Sequence, residues 1–129
     1  MIALSSTAQL IRALASARDV TFSAYVLPRG PVLDALQMAC RRGARVTVAI
    51  ESAPFRNDAG AKINAAAATR LRRLGADVRL APNEHLKGAV IDGRAFLDDR
   101  NWAVSSADTV VRDDRAADVQ AVRDAILGR

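Results

Sequence analysis

The stretch His85-Leu86-Lys87-Gly88-Ala89-Val90-Ile91-Asp92 sets an imidazole and an ammonium group two residues apart. Side chains of an extended segment alternate between faces, so residues i and i+2 point the same way. His85 and Lys87 are therefore expected on one face of a strand running from Glu84 to Ile91, with Leu86, Gly88 and Val90 on the other. Phosphoryl chemistry needs such a pair. The ammonium neutralises non-bridging oxygens where charge must be held in the transition state. An imidazole, which changes charge near neutrality, serves as nucleophile or proton donor. The pattern His-x-Lys-x-x-x-x-Asp fixes three positions, and average residue usage produces it by chance in on the order of one in a hundred chains of this length. Taken alone, it equally describes a partly buried strand histidine beside a surface lysine.

The elements that must position this pair alternate along the chain. Leu10, Ile11, Leu14 and Ala15 recur at helical spacing within Thr7–Arg18, with Ser5, Ser6 or Thr7 available as a cap. Val20 to Leu27 is β-branched and aromatic and predicts a strand. Pro31 opens a second helix, where its missing N–H costs nothing, and Gly43 follows its end at Arg42. Arg45–Ile50 predicts a strand, Ser52–Gly60 a loop, Ala61–Leu74 an alanine-rich helix and Asp77–Leu80 a short strand. Asp92-Gly93 is a hairpin signal between Glu84–Ile91 and Arg94–Leu97. A last strand, Thr109–Arg112, precedes a closing helix, Arg115–Leu127. Such alternation predicts one α/β domain over residues 1–129, a mixed sheet flanked by helices on both faces.

Composition narrows the partners. The 129 residues suit one domain, and the 50% that are hydrophobic supply a core and exclude a disordered chain. No apolar run reaches the roughly 18 residues of a membrane span. Met1 to Ser6 does not read as a secretory leader, so a reducing, cytoplasmic setting is the expectation. The one cysteine, Cys40, excludes an internal disulfide and reads as a small core residue of the second helix. A net charge of +5 favours polyanionic partners, nucleic acid or anionic headgroups. The aromatic fraction of 4% argues against an aromatic platform for bases. Arg70, Arg72 and Arg73 read as a solvated basic helix face rather than a membrane-surface helix, because the apolar side is mostly alanine.

The chain as a whole resembles the phospholipase D superfamily with its His-Lys-Asp signature. Asp19-Val20-Thr21-Phe22-Ser23-Ala24-Tyr25 resembles the family's first core strand. Leu36 to Val46, with Arg42-Gly43-Ala44-Arg45-Val46, is similar to its A-L-x-x-A-x-x-R-G-V-x-V segment, and Leu71 to Val78 to its L-x-x-x-G-x-x-V run. These segments occur in family order. The resemblance implies a phospholipase D-like domain and a metal-independent phosphodiesterase that needs no cofactor. It also implies that His85 acts as nucleophile, forming a phosphohistidine, or as the acid that protonates the leaving oxygen. Lys87 would bind phosphate, and Asp92 would organise the turn and motif more than touch substrate. The family's Gly-Ser-x-Asn run is replaced by Asp98-Asp99-Arg100-Asn101-Trp102. Asn101 aligns with the family asparagine one position early, whereas Gly-Ser has no counterpart. Arg100, Ser105 and Ser106 are the remaining candidates for phosphate contact, and Asp108 for the carboxylate that steadies the histidine. Asp98 and Asp99 would repel phosphate unless they point away or pair with Arg100 or Lys87. Adjacent carboxylates, as in Asp98-Asp99 and Asp113-Asp114, seldom face one ion, so no metal site is expected.

The leading function is thus a nuclease-type phosphodiesterase. A phospholipid hydrolase or phosphatidyl transferase, and a non-catalytic phosphate- or nucleic-acid-binding module, are the alternatives. His85 is the single histidine of this sequence, so a two-histidine mechanism requires a second copy across a two-fold axis, or a second motif if the chain is half of a longer protein. An active preparation is expected to be a homodimer by light scattering at assay concentration; a fully active monomer would rule out the shared site.

Overall fold

In the computed structural model, which describes residues 1–102 and 109–129, a seven-stranded mixed sheet carries helices on both faces. The strands are β1 (Ile2–Ser5), β2 (Asp19–Ala24), β3 (Arg45–Glu51), β4 (Asp77–Ala81), β5 (Gly88–Ile91), β6 (Arg94–Asp98) and β7 (Val110–Asp113). The helices are α1 (Thr7–Ala15), α2 (Pro31–Arg41), α3 (Asp58–Arg73) and α4 (Ala116–Leu127). The strand order is β1-β7-β6-β5-β2-β3-β4. β2, β3 and β4 run parallel, and the other pairings are antiparallel.

Alternation along the central strands divides two cores. Val20, Phe22 and Ala24 of β2, with Ala89 and Ile91 of β5, join Leu10, Leu14, Leu33, Leu36 and Leu71 from α1, α2 and α3 in the main cluster. On the opposite face Val90 and Ala95 meet Val119 and Val122 of α4. The helices end and begin where local chemistry directs. Ser6 Oγ accepts from the Gln9 N–H at 3.1 Å and caps α1. Asn57 Oδ1 accepts from the Gly60 N–H at 2.7 Å, so α3 starts three residues before the first alanine expected of it. Cys40 is buried in α2, and desolvation pushes its thiol above the ordinary range, which suits a core residue.

Three expectations are corrected. β1 had no signal, since Ile2 and Leu4 are exposed and the strand exists by pairing with β7 from Ile2↔Asp113 to Ser5↔Val110. The second strand stops at Ala24 rather than Leu27, because the next backbone groups bond to a helix side chain instead of a neighbouring strand. The Glu84–Ile91 strand begins only at Gly88; Glu84 to Lys87 precede the ladder.

The side chain responsible for the early end of β2 is Asn64 of α3, fully buried. Its Oδ1 accepts from the Leu27 N–H at 2.9 Å, and its Nδ2 donates to the Tyr25 carbonyl at 2.9 Å and the Glu51 carbonyl at 2.8 Å. Leaving buried backbone groups without partners costs about 1–3 kcal/mol each. Asn64→Ala is expected to lower the unfolding free energy by roughly 2–4 kcal/mol in urea titrations; a loss well below 1 kcal/mol would mean that water replaces the amide without penalty.

Candidate active site

The site lies where β2 and β5 run out of shared ladder. Their last backbone pair is Phe22↔Ala89. Beyond it the Ser23 hydroxyl takes over: Oγ donates to the Leu86 carbonyl at 2.7 Å and accepts from the Gly88 N–H at 3.1 Å. On the other side the Lys87 carbonyl accepts from the Asp98 N–H at 2.9 Å. The segment carrying His85 and Lys87 is thus held through a side chain on one flank and by β6 on the other. A Cβ on Gly88 would stand 3.4 Å from both Leu86 Cγ and Val122 Cγ1, in van der Waals contact with each.

Tyr25, the first residue past β2, supports both candidate side chains. The His85 imidazole stacks on the Tyr25 ring with centroids 4.9 Å apart and planes inclined by 18°. Lys87 Nζ stands 5.7 Å from the centroid of that ring and donates to the His85 carbonyl at 3.3 Å. His85 is exposed and Lys87 half-buried. The two groups are therefore brought together around one aromatic ring.

The carboxylates around this pair are engaged elsewhere. Asp92 lies at the opposite end of β5, in the hairpin turn with φ 47°, and its Oδ1 accepts from the N–H groups of Arg18 at 3.0 Å and Asp19 at 2.9 Å. Asp98 Oδ2 accepts from the Trp102 N–H at 2.6 Å. Asp99 Oδ1 accepts from the Thr109 N–H at 3.1 Å and is 4.0 Å from Arg100 Nε, in an exposed pair. Asp113 binds Arg115, which holds its carboxyl down to about 2, and Asp114 binds the terminal ammonium at 2.6 Å. Among the described residues no three His, Cys, Asp or Glu side chains gather as a metal-binding set.

Asn101 is exposed and lines an open cleft of about 310 Å³ with Leu27, Pro28, Gly30, Val32 and Trp102. Trp102 Nε1 donates to the Ser23 carbonyl at 3.1 Å, which joins the Asn101 segment to the residue that holds Leu86 and Gly88. Arg100 is likewise exposed. Ser105, Ser106 and Asp108 lie outside the described residues.

Sequence reasoning did not single out Ser23, Tyr25, Glu51 or Asn64 as site residues. The polar alternation Thr21, Ser23, Tyr25 within the expected strand Val20–Leu27 was an available signal for the first two. Glu51 and Glu84 adjoin the segment that leads into the histidine. Glu51 Oε1 accepts from the Asn83 N–H at 3.2 Å, fixing the turn that leads into His85. Glu84 is buried, with Arg79 Nη2 3.5 Å from its carboxylate.

No family model matches the chain, and no curated protein matches it. Solved structures do. A phospholipase D family member, Nuc from Salmonella typhimurium, superposes with TM-score 0.79 over 100% of this chain and 93% of its own at 18% identity. NucT from Helicobacter pylori gives TM-score 0.76 over 99% of this chain and 92% of its own, also at 18% identity. TrmBL2, an archaeal chromatin protein with a novel mode of DNA binding, gives 0.70 over 98% of this chain and 51% of its own at 12% identity. The chain has the phospholipase D-like fold from end to end.

Desolvation raises the Glu84 carboxyl above the ordinary glutamate value of 4.5; Arg79 opposes the shift and Glu51 reinforces it. A carboxyl raised in the folded state stabilises the protein below its unfolded pKa, and that contribution is lost as pH rises through the folded value. Glu84→Gln, which cannot ionise, is therefore expected to gain on the parent in urea midpoint between pH 4 and pH 7. A gap that stays constant over that interval would show that Arg79 fully offsets the burial.

Proposed function

We propose that this protein is a metal-independent phosphodiesterase of the phospholipase D type, a nuclease that works through a phosphohistidine intermediate at a site shared by two copies. The observation that carries the reading is the meeting of the exposed His85 imidazole and the Lys87 ammonium on the Tyr25 ring. One imidazole nitrogen attacks phosphorus and forms a P–N bond while the P–O bond to the leaving group breaks. His85 of the partner subunit gives that oxygen its proton. Water then attacks phosphorus, the P–N bond breaks, and a proton passes back to the partner's histidine. Lys87 holds the non-bridging oxygens through both steps. Asn101 and Arg100 flank the phosphate, Ser105 and Ser106 supply further donors, and Asp108 steadies the histidine. Asp92 sets the motif's geometry from the far end of β5.

Nucleic acid is favoured over phospholipid. The net charge is +5, and Arg29, Lys62 and Arg70 rim a second open cleft, of about 330 Å³, between α2 and α3. No described helix is long and apolar enough to cross a membrane. The fold shared with TrmBL2, a DNA-binding chromatin protein, supports the same choice.

In a chelator-containing buffer the protein is expected to cleave a labelled oligonucleotide, and quenching in base is expected to trap label on His85. His85→Ala should abolish both signals, and Lys87→Ala should lower turnover by about 10²–10³-fold. Activity that requires an added divalent ion would overturn the mechanism. Binding without turnover in the parent, lost in Lys87→Ala, would make the protein a binding module instead.

A further inference from the structure

Aromatic residues are scarce in this chain, yet Tyr25 and Phe55 are brought together at the site. Phe55 belongs to a tight turn, Pro54–Arg56, between β3 and α3. Its ring meets the Tyr25 ring edge-on, with centroids 5.1 Å apart and planes at 89°, on the same tyrosine that carries the His85 imidazole. Nevertheless 58% of Phe55 is exposed, so the core does not account for its placement.

Holding the ring there carries a conformational cost. Phe55 and Arg56 both adopt left-handed backbone geometry, φ 58° and 52°, which non-glycine residues seldom adopt and rarely in succession. The turn is fixed from several sides. The Phe55 N–H donates to Tyr25 Oη at 2.5 Å, and the Arg56 N–H donates to the Ala53 carbonyl at 3.1 Å. Gly60 in the first turn of α3 packs so closely on Pro54 that a Cβ would stand 2.5 Å from its carbonyl oxygen. A strained turn, braced on each side, presents an exposed apolar ring beside a cationic phosphate site.

We propose that Phe55 is a stacking platform for a nucleobase next to the scissile phosphate, so that the preferred substrate is single-stranded nucleic acid. This rests on the nuclease reading above. The Phe55 ring lies no farther from the imidazole than the two centroid separations end to end, within reach of a nucleotide flanking the scissile phosphate. A base in a duplex has both faces covered by its neighbours, whereas an unpaired base has a free face for the ring. Stacking tolerates any base, since each has a π-face, so the preference would be for strandedness rather than sequence.

The test compares binding of a short homothymidine strand with an abasic strand of the same length, with parent and variants all carrying His85→Ala so that neither strand is cut during the measurement. The parent is expected to favour the base-bearing strand by about tenfold or more. Phe55→Ala should bring the ratio near unity, and Phe55→Trp should keep it. The alanine variant retains the backbone N–H that bonds Tyr25, so its fold should persist, checked by circular dichroism. A ratio unchanged in Phe55→Ala would overturn the platform while leaving the nuclease reading intact. A parent that binds neither strand would overturn both. A Phe55→Ala protein that becomes monomeric would place the ring in an interface between copies and also overturn the platform.

Discussion

The carboxamide of Asn64 sits at the junction of α3 with the ends of β2 and β3, without solvent exposure, and bonds to three backbone groups. No other common side chain of that size offers one acceptor and two donors in a plane. A carboxylate would face two carbonyl oxygens, and a leucine would leave all three backbone groups unmet. Because these bonds draw Tyr25 and Leu27 away from the sheet, the chain departs from β2 at the point where β5 begins. The Tyr25 ring then stands free of the core, where His85 and Lys87 can use it.

The second constraint is electrostatic. The proposed phosphate site needs concentrated positive potential, yet the local sequence is rich in acids. Among the described residues, four of these acids take a backbone or cationic partner. Asp92 caps the start of β2, Asp98 closes the turn to Trp102, Asp99 ties its loop to Thr109, and Glu84 meets Arg79. Asp98, Asp99 and Glu84 brace segments adjoining the histidine's, and Asp92 fixes the far end of β5, so acids that look unfavourable in the sequence serve as scaffold.

Much of the sheet is readable from alternation, because β2, β3 and β5 are buried and their apolar residues must follow the pleat. His85 and Lys87 were expected on one face of a strand, but the ladder starts later, at Gly88, and the Ser23 hydroxyl holds their segment instead. β1 was illegible because its side chains are exposed and its existence depends on a distant partner. Asn64 looked like any polar position in an alanine-rich helix, and Phe55 like a stray apolar residue in a Pro/Asn/Asp loop. Their meaning comes from tertiary neighbours more than 25 residues away in the chain, such as Tyr25.

β1 also bears on how the molecule acquires and loses its order. It pairs with β7 alone, joining Ile2 to Asp113, so that contact closes nearly the entire chain into one loop. Loop-closure entropy rises with separation, and such pairings form late in folding. The residues that hold the imidazole, by contrast, fall between Asp19 and Ile91 and close over shorter spans. The outer strand at that edge is accordingly the natural first unit to open, as a separate cooperative segment. Its departure would uncover β7 at the sheet's margin while the inner scaffold around Tyr25 keeps its shape.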